Sequence, residues 1–178
     1  MRKVVLYIAT SMDGFIAKED GDVNWLHDEA FAEKENDFGY ADFLSSIDTT
    51  FMGNSTYKVV MGFDIPFPYP DSTNYVVTSD PSQPDTNDVK FIGSEEVKDL
   101  LSQIKQQEGK DIWLIGGGKL NAFFLEHGWI DEIRLFIMPI VLGKGIKMFG
   151  EVDDFSKKFA LKETEVYTTG VVALHYAK

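Results

Sequence analysis

The residues most suited to chemistry are two places where an apolar run ends in glycine and a helix-forming segment follows. The first is Asp111-Ile112-Trp113-Leu114-Ile115-Gly116-Gly117-Gly118-Lys119-Leu120. Its five-residue apolar run has strand length, and the apolar positions Leu120, Phe123, Phe124 and His127 then recur at helical spacing up to Gly128. A strand that turns on glycines into a helix exposes free backbone N–H groups at the positive end of the helix dipole, which binds phosphate. A plain tight turn is the structural alternative, because glycine also serves that purpose. The second place is Met52-Gly53-Asn54-Ser55-Thr56-Tyr57, behind a shorter apolar run. Here Asn54 or Ser55 could simply cap a helix. Carboxylates are the other candidates. Asp13 follows the first apolar run, and Asp28 precedes a stretch of aromatic residues; a positioned carboxyl group is suited to proton transfer. The bland readings are an Asp-Gly turn for Asp13 and an acid placed by the helix dipole for Asp28.

These candidates need a frame, and the rest of the chain supplies one. Runs of strand character occur at residues 3–9, 49–52, 75–78, 89–92, 111–115 and 132–137, with a final hairpin over 159–166 and 171–176. Helical periodicity is expected over Asp28–Leu44, with Phe31, Phe38, Phe43 and Leu44 inward. It is also expected over Glu95–Gln107, with Ser94 as N-cap, and after Gly118. Pro66, Pro68 and Pro70 hold the loop before the third strand extended. Alternation of strands and helices predicts an α/β fold with a largely parallel sheet and helices on both faces, to which the C-terminal hairpin adds antiparallel strands. One domain over residues 1–178 is expected.

Composition narrows the chemistry. The chain has no cysteine, and His27, His127 and His175 are far apart, so thiol catalysis is excluded and no metal site is expected. Net charge is −12, and Arg2 and Arg134 are the only arginines. Nucleic acid and anionic membrane are therefore not expected partners. No apolar run approaches the ~18–20 residues of a membrane span, and no leader pattern opens the chain, so a cytoplasmic protein is expected.

The order of motifs resembles the dihydrofolate reductase-like superfamily. Within it, the chain is most similar to the C-terminal reductase domain of the riboflavin-biosynthesis deaminase/reductase, in its free-standing bacterial form. Four stretches carry the resemblance: Ser11-Met12-Asp13-Gly14-Phe15-Ile16-Ala17, Met52-Gly53-Asn54-Ser55-Thr56-Tyr57, Ile115-Gly116-Gly117-Gly118, and Pro139 to Phe149 with Gly143-Lys144-Gly145. It implies a three-layer α/β/α sandwich, dihydrofolate reductase-like, with a mixed, mostly parallel sheet of about eight strands. It also implies an NADPH-dependent reductase, with NADH as the alternative, whose nearest activity is reduction of 5-amino-6-(5-phosphoribosylamino)uracil. A same-fold reductase of a pteridine such as dihydrofolate, or a non-catalytic nucleotide- or flavin-binding module, are the rival readings. The implied coenzyme residues are Ala9, Gly53, Asn54, Ser55, Thr56, Thr78, Ser79, Ile115, Gly116, Gly117, Gly118, Lys119 and Leu120, with a cis peptide at Gly116-Gly117. Implied substrate residues are Ser11, Trp25, Tyr57, Gly143 and Lys144, and the implied catalytic acids are Asp13 and Asp28. Relatives pair into homodimers, which the apolar run Phe136–Leu142 suits. The sequence also departs from the pattern. Asn54 stands where many dihydrofolate reductases have Arg, Pro70-Asp71-Ser72 replaces a Pro-Gly-Arg, and Asp80 brings negative charge where a 2′-phosphate is expected.

Overall fold

The computed structural model describes residues 1–32, 37–63, 65–152 and 156–178. Its strands are β1 (Val4–Ser11), β2 (Phe15–Ala17), β3 (Ile47–Gly53), β4 (Thr73–Val77), β5 (Val89–Ile92), β6 (Asp111–Gly116), β7 (Glu132–Met138), β8 (Ile146–Lys147), β9 (Ala160–Val166) and β10 (Val172–Ala177). The helices are α1 (Tyr40–Ser45), α2 (Asn54–Met61), α3 (Val97–Gln106) and α4 (Gly118–Glu126). Eight strands form one sheet in the order β5-β4-β3-β6-β1-β7-β10-β9. The first six run parallel, and β10 and β9 join antiparallel. Strands β2 and β8, which the sequence did not signal, make a separate two-stranded ribbon.

Alternation along the strands sorts side chains onto two faces. Val4, Leu6, Ile112, Leu114 and Phe51 meet Val97, Leu101 and Ile104 of α3 and Leu120, Phe124 and Leu125 of α4. On the other face, Val5 and Trp113 pack on Phe43 of α1, and Met52 and Val76 pack near Tyr57 of α2. Trp25 and Phe31 cover Phe136 and Met138 beside them. This is the expected sandwich with a mostly parallel sheet.

Helix α4 ends as its sequence suggests. Gly128 has φ +68, its N–H reaches the Leu125 carbonyl and that of Trp129 reaches Phe124, which closes the last turn. The long helix expected over Asp28–Leu44 is not formed. Two 3-10 turns (Asn24–His27 and Glu29–Phe31) and the short α1 take its place, with residues 33–36 outside the described ones. The cause is local competition for backbone donors: Asp28 accepts from Ala30 N–H, and Asp37 accepts from Gly39 and Ala41 N–H. Ser94 does not cap α3 either. The helix starts later, at Val97, and Glu96 reaches back to Gly93 N–H at 2.7 Å.

The exposed edge β9 is guarded. All seven residues are exposed, and Lys162, Glu163 and Glu165 place charges along a strand that could otherwise template pairing. Far from the glycine junctions, at the amino ends of the strands, buried Arg2 is held by Asp48, Thr49 Oγ1 and the Lys110 carbonyl.

Candidate functional site

The two glycine junctions are neighbours. Strands β3 and β6 are adjacent and parallel, and Met52 lies opposite Gly116 in their register. A Cβ placed on Gly53 would stand 3.7 Å from the Gly116 carbonyl oxygen, and one on Gly117 would stand 3.2 Å from Thr56 Oγ1. The N-termini of α2 and α4 therefore open side by side at the carboxyl end of the sheet. Neither N-cap makes a side-chain hydrogen bond, and neither first turn contains an acid. By contrast, α1 and α3 carry Asp42 and Asp99 in their first turns. Uncapped N–H groups with no carboxylate nearby are what an anion needs. The peptide Gly116-Gly117 is cis, as the resemblance implies.

The three glycines do different things. Gly116 has φ +109, and an added Cβ would meet Asn121 Oδ1 at 3.0 Å. Gly117 has an ordinary φ of −72 and borders the gap facing Thr56. Gly118 is pressed under another segment, since a Cβ there would stand 2.2 Å from the Lys147 carbonyl oxygen. Asn121 is fully buried; its amide nitrogen donates to the Met148 carbonyl at 2.8 Å, and its Oδ1 has no partner among the described residues. No sequence signal singles out Asn121 beyond its place one turn into α4.

Toward β1 and β7 the site changes character. Ala9 and Ser11 end β1, next to Met138 at the end of β7. Trp25 is 7% exposed, and its indole Nε1 is buried without a partner among the described residues. Asp13 is engaged from three sides. Ser11 Oγ donates to its Oδ1 at 2.6 Å, Leu142 N–H to Oδ1 at 3.1 Å, and Gly143 N–H to Oδ2 at 2.7 Å. The Ser11 hydroxyl, with those two amides, holds the carboxyl below its ordinary value against the opposing cost of dehydration. Lys144 is exposed beside Gly143. Asp28 is exposed and caps the second 3-10 turn through Ala30 N–H.

Toward β4 and β5, Thr78 N–H donates to the Ile92 carbonyl and Thr78 Oγ1 accepts from Asp80 N–H. Ser79 is exposed. The Asp80 carboxylate is turned onto Ser82, whose hydroxyl donates to it at 2.5 Å. Tyr57 packs edge-on against Phe91 at 5.5 Å, in a cluster separate from Trp25. Of the expected residues, Gly53 to Thr56 and Ile115 to Leu120 come together at one junction. Ala9, Ser11, Asp13, Trp25, Gly143 and Lys144 belong to the flank on one side of it, Thr78 and Ser79 to the other.

A parallel sheet with two open glycine junctions and a C-terminal antiparallel hairpin defines a dihydrofolate reductase-like fold. The dihydrofolate reductase of Enterococcus faecalis, solved in complex with NADP(H), superposes with a TM-score of 0.67 at 18% identity over 98% of this chain and 95% of that one. The chain belongs to the RibD C-terminal domain family, whose model matches residues 2–173. It is 41% identical to the uncharacterized protein YwjB of Bacillus subtilis, over 99% of this chain and 98% of that protein. A protein from Shewanella sp. PV-4, described as a candidate riboflavin biosynthesis protein, is 27% identical with a TM-score of 0.82, covering 99% of this chain and 98% of that one. No described helix is long and apolar enough to cross a membrane.

Proposed function

We propose that the protein is a cytoplasmic reductase that binds a reduced nicotinamide coenzyme and reduces a small molecule. Its activity would resemble that of 5-amino-6-(5-phosphoribosylamino)uracil reductase. The observation that carries this reading is the pair of open helix N-termini at Gly53 and Gly117, joined across a gap that a single methyl group would enter. A diphosphate fits that donor set. The amides of Asn54, Ser55 and Thr56 lie on one side of it and those of Gly118, Lys119 and Leu120 on the other, and the Thr56 hydroxyl borders the gap. Ligands of open α/β sheets lie across the carboxyl ends of the strands. The adenosine half would then reach Thr78 and Ser79 at the β4 end. The nicotinamide half would reach Ala9, Ile115 and the β1–β7 flank, where the Trp25 indole N–H, with no partner among the described residues, would donate to a substrate acceptor.

When bound, such a coenzyme supplies hydride chemistry. The chain's part is to orient the two reactants and keep water out, which Trp25, Phe136 and Met138 do by closing the floor of the flank. NADPH is the proposed coenzyme, its 2′-phosphate meeting Ser79 at the β4 end. One observation favours NADH instead: Asp80 places a carboxylate two residues past Thr78, and an acid there suits a free ribose hydroxyl. Homodimer formation is proposed at the β7-β10-β9 end, where Val141 (64%), Leu161 (53%) and Val166 (71%) are left exposed.

The test is coenzyme consumption with the riboflavin-pathway intermediate and, separately, with dihydrofolate. Turnover with the first supports the specific reading. Turnover with dihydrofolate alone moves the substrate to the pteridine class, and coenzyme binding without any turnover leaves a nucleotide-binding module.

A further inference from the structure

Two segments form the rim of the flank proposed to hold the nicotinamide and substrate. Residues 11–17 leave β1, and residues 138–148 leave β7. They are laced together along their length. Met12 N–H donates to the Ile140 carbonyl at 2.8 Å, and Met148 N–H donates to the Gly14 carbonyl at 3.1 Å. Phe15 and Ala17 pair with Lys147 and Ile146 as the β2–β8 ribbon. A Cβ on Gly145 would stand 2.1 Å from the Ala17 carbonyl oxygen, so the backbones pass in direct contact. Between these backbone bonds the seam is closed by a side chain. Both oxygens of Asp13 are used: Oδ1 accepts Leu142 N–H and Oδ2 accepts Gly143 N–H. Asp13 is itself tethered by Ser11, 1% exposed, whose hydroxyl donates to it and accepts Phe15 N–H at 3.0 Å.

We propose that Asp13 is a positioning residue. Its ionised carboxylate latches the 139–145 loop to the turn after β1, which makes the two segments one rigid rim over the coenzyme's reactive end, and it is not the proton donor. The inference rests on the coenzyme-binding reading above. Three donors converge on this carboxylate, and each favours its charged form, whereas a donor acid must hold its proton at the working pH. Two adjacent amides pointing at two oxygens also demand two acceptors. The same geometry accounts for Ser11 and Gly143: their polar groups are committed to Asp13 and leave little for a substrate.

The test compares the wild type, Asp13→Asn and Ser11→Ala. Asparagine offers one acceptor and turns an N–H toward the other amide, so Asp13→Asn should break the latch. Ser11→Ala keeps the carboxylate but frees its tether. Amide hydrogen exchange read residue by residue should quicken at Leu142 and Gly143 by about tenfold or more in Asp13→Asn, and by less in Ser11→Ala, with the interior of β1 and β7 unchanged. Affinity for reduced coenzyme should fall severalfold in step, with the same pH dependence between about pH 5 and 8 in all three proteins, because Asp13 stays ionised across that range in two of them and the amide of the third does not titrate. Wild-type exchange at Leu142 and Gly143 in Asp13→Asn overturns the latch. Normal affinity combined with loss of one limb of the pH–rate profile overturns it too, by making Asp13 a proton donor. If the wild type binds no reduced coenzyme, the functional reading fails, and the exchange comparison still decides whether the latch exists.

Discussion

Replacing Gly117 with Ala separates the site from the fold. The backbone there has φ −72, which any L residue adopts, and the new Cβ would lie 3.2 Å from Thr56 Oγ1 and 4.0 Å from Ile16 Cδ1. A shift of a few tenths of an ångström relieves that contact, so stability should change by no more than about 1 kcal/mol. The methyl nevertheless enters the gap between the two helix N-termini. A phosphate oxygen must come within about 2.9 Å of each amide it accepts from, and it cannot share that space with a carbon. Each lost hydrogen bond to a charged group is worth about 1.5–3 kcal/mol, so coenzyme affinity should drop about 10- to 150-fold for one bond and further for two. Gly117→Val should abolish measurable binding. The assay is titration of reduced-coenzyme fluorescence, with a thermal melt on the same sample. Gly118→Ala is the contrast: its Cβ would sit 2.2 Å from the Lys147 carbonyl oxygen, so its melting point should fall whether or not ligand is present. Wild-type affinity in a folded Gly117→Val protein would refute the reasoning.

Other outcomes follow from the same geometry. Asp80→Asn should raise the affinity for NADPH relative to NADH severalfold, measured by competitive titration; an unchanged ratio would remove Asp80 from the ribose end. Sedimentation should give a particle of twice the 20.1 kDa chain mass, and a monomer would sink the dimer. Acid stability should depend on Asp131. Burial pushes its carboxyl up, but Lys105, the Val4 amide and Lys178 outweigh that and hold it below the usual value. A depressed carboxyl stabilises above its unfolded pKa and loses that contribution as pH falls through the folded one. Asp131→Asn should therefore cost about 1–3 kcal/mol at pH 7, and the difference from wild type should shrink in denaturant melts as pH falls through the lowered carboxyl pKa. A gap that persists in acid would mean packing, not charge, is responsible.

The sheet could be read from the sequence because buried parallel strands are continuous apolar runs. Val4–Ile8 and Ile112–Ile115 leave no other element of that length. The glycine junctions were legible for the same reason, since each terminates such a run. Their division of labour was not. Gly116, Gly117 and Gly118 are identical in sequence, and only the approach of Asn121 from the first turn of α4, and of Thr56 and Lys147 from distant parts of the chain, distinguishes them. Asp37-Phe38-Gly39 shows the limit in another way. The aromatic spacing of Phe31, Phe38 and Phe43 mimics a helix, while the Asp37 carboxylate takes the N–H groups a helix would need, and Phe38 adopts φ +58. Asp13 read equally well as an acid or as a turn residue. Its partners Leu142 and Gly143 lie about 130 positions away, where no local pattern can point.

The central claim is that Gly53 and Gly117 open onto the diphosphate of a reduced nicotinamide coenzyme. Calorimetric titration of the wild-type protein with NADPH, and separately with NADH, tests it most directly. Saturable one-to-one binding of at least one of them, with a dissociation constant below about 1 mM, is the predicted result. Heat of dilution alone for both coenzymes would contradict it.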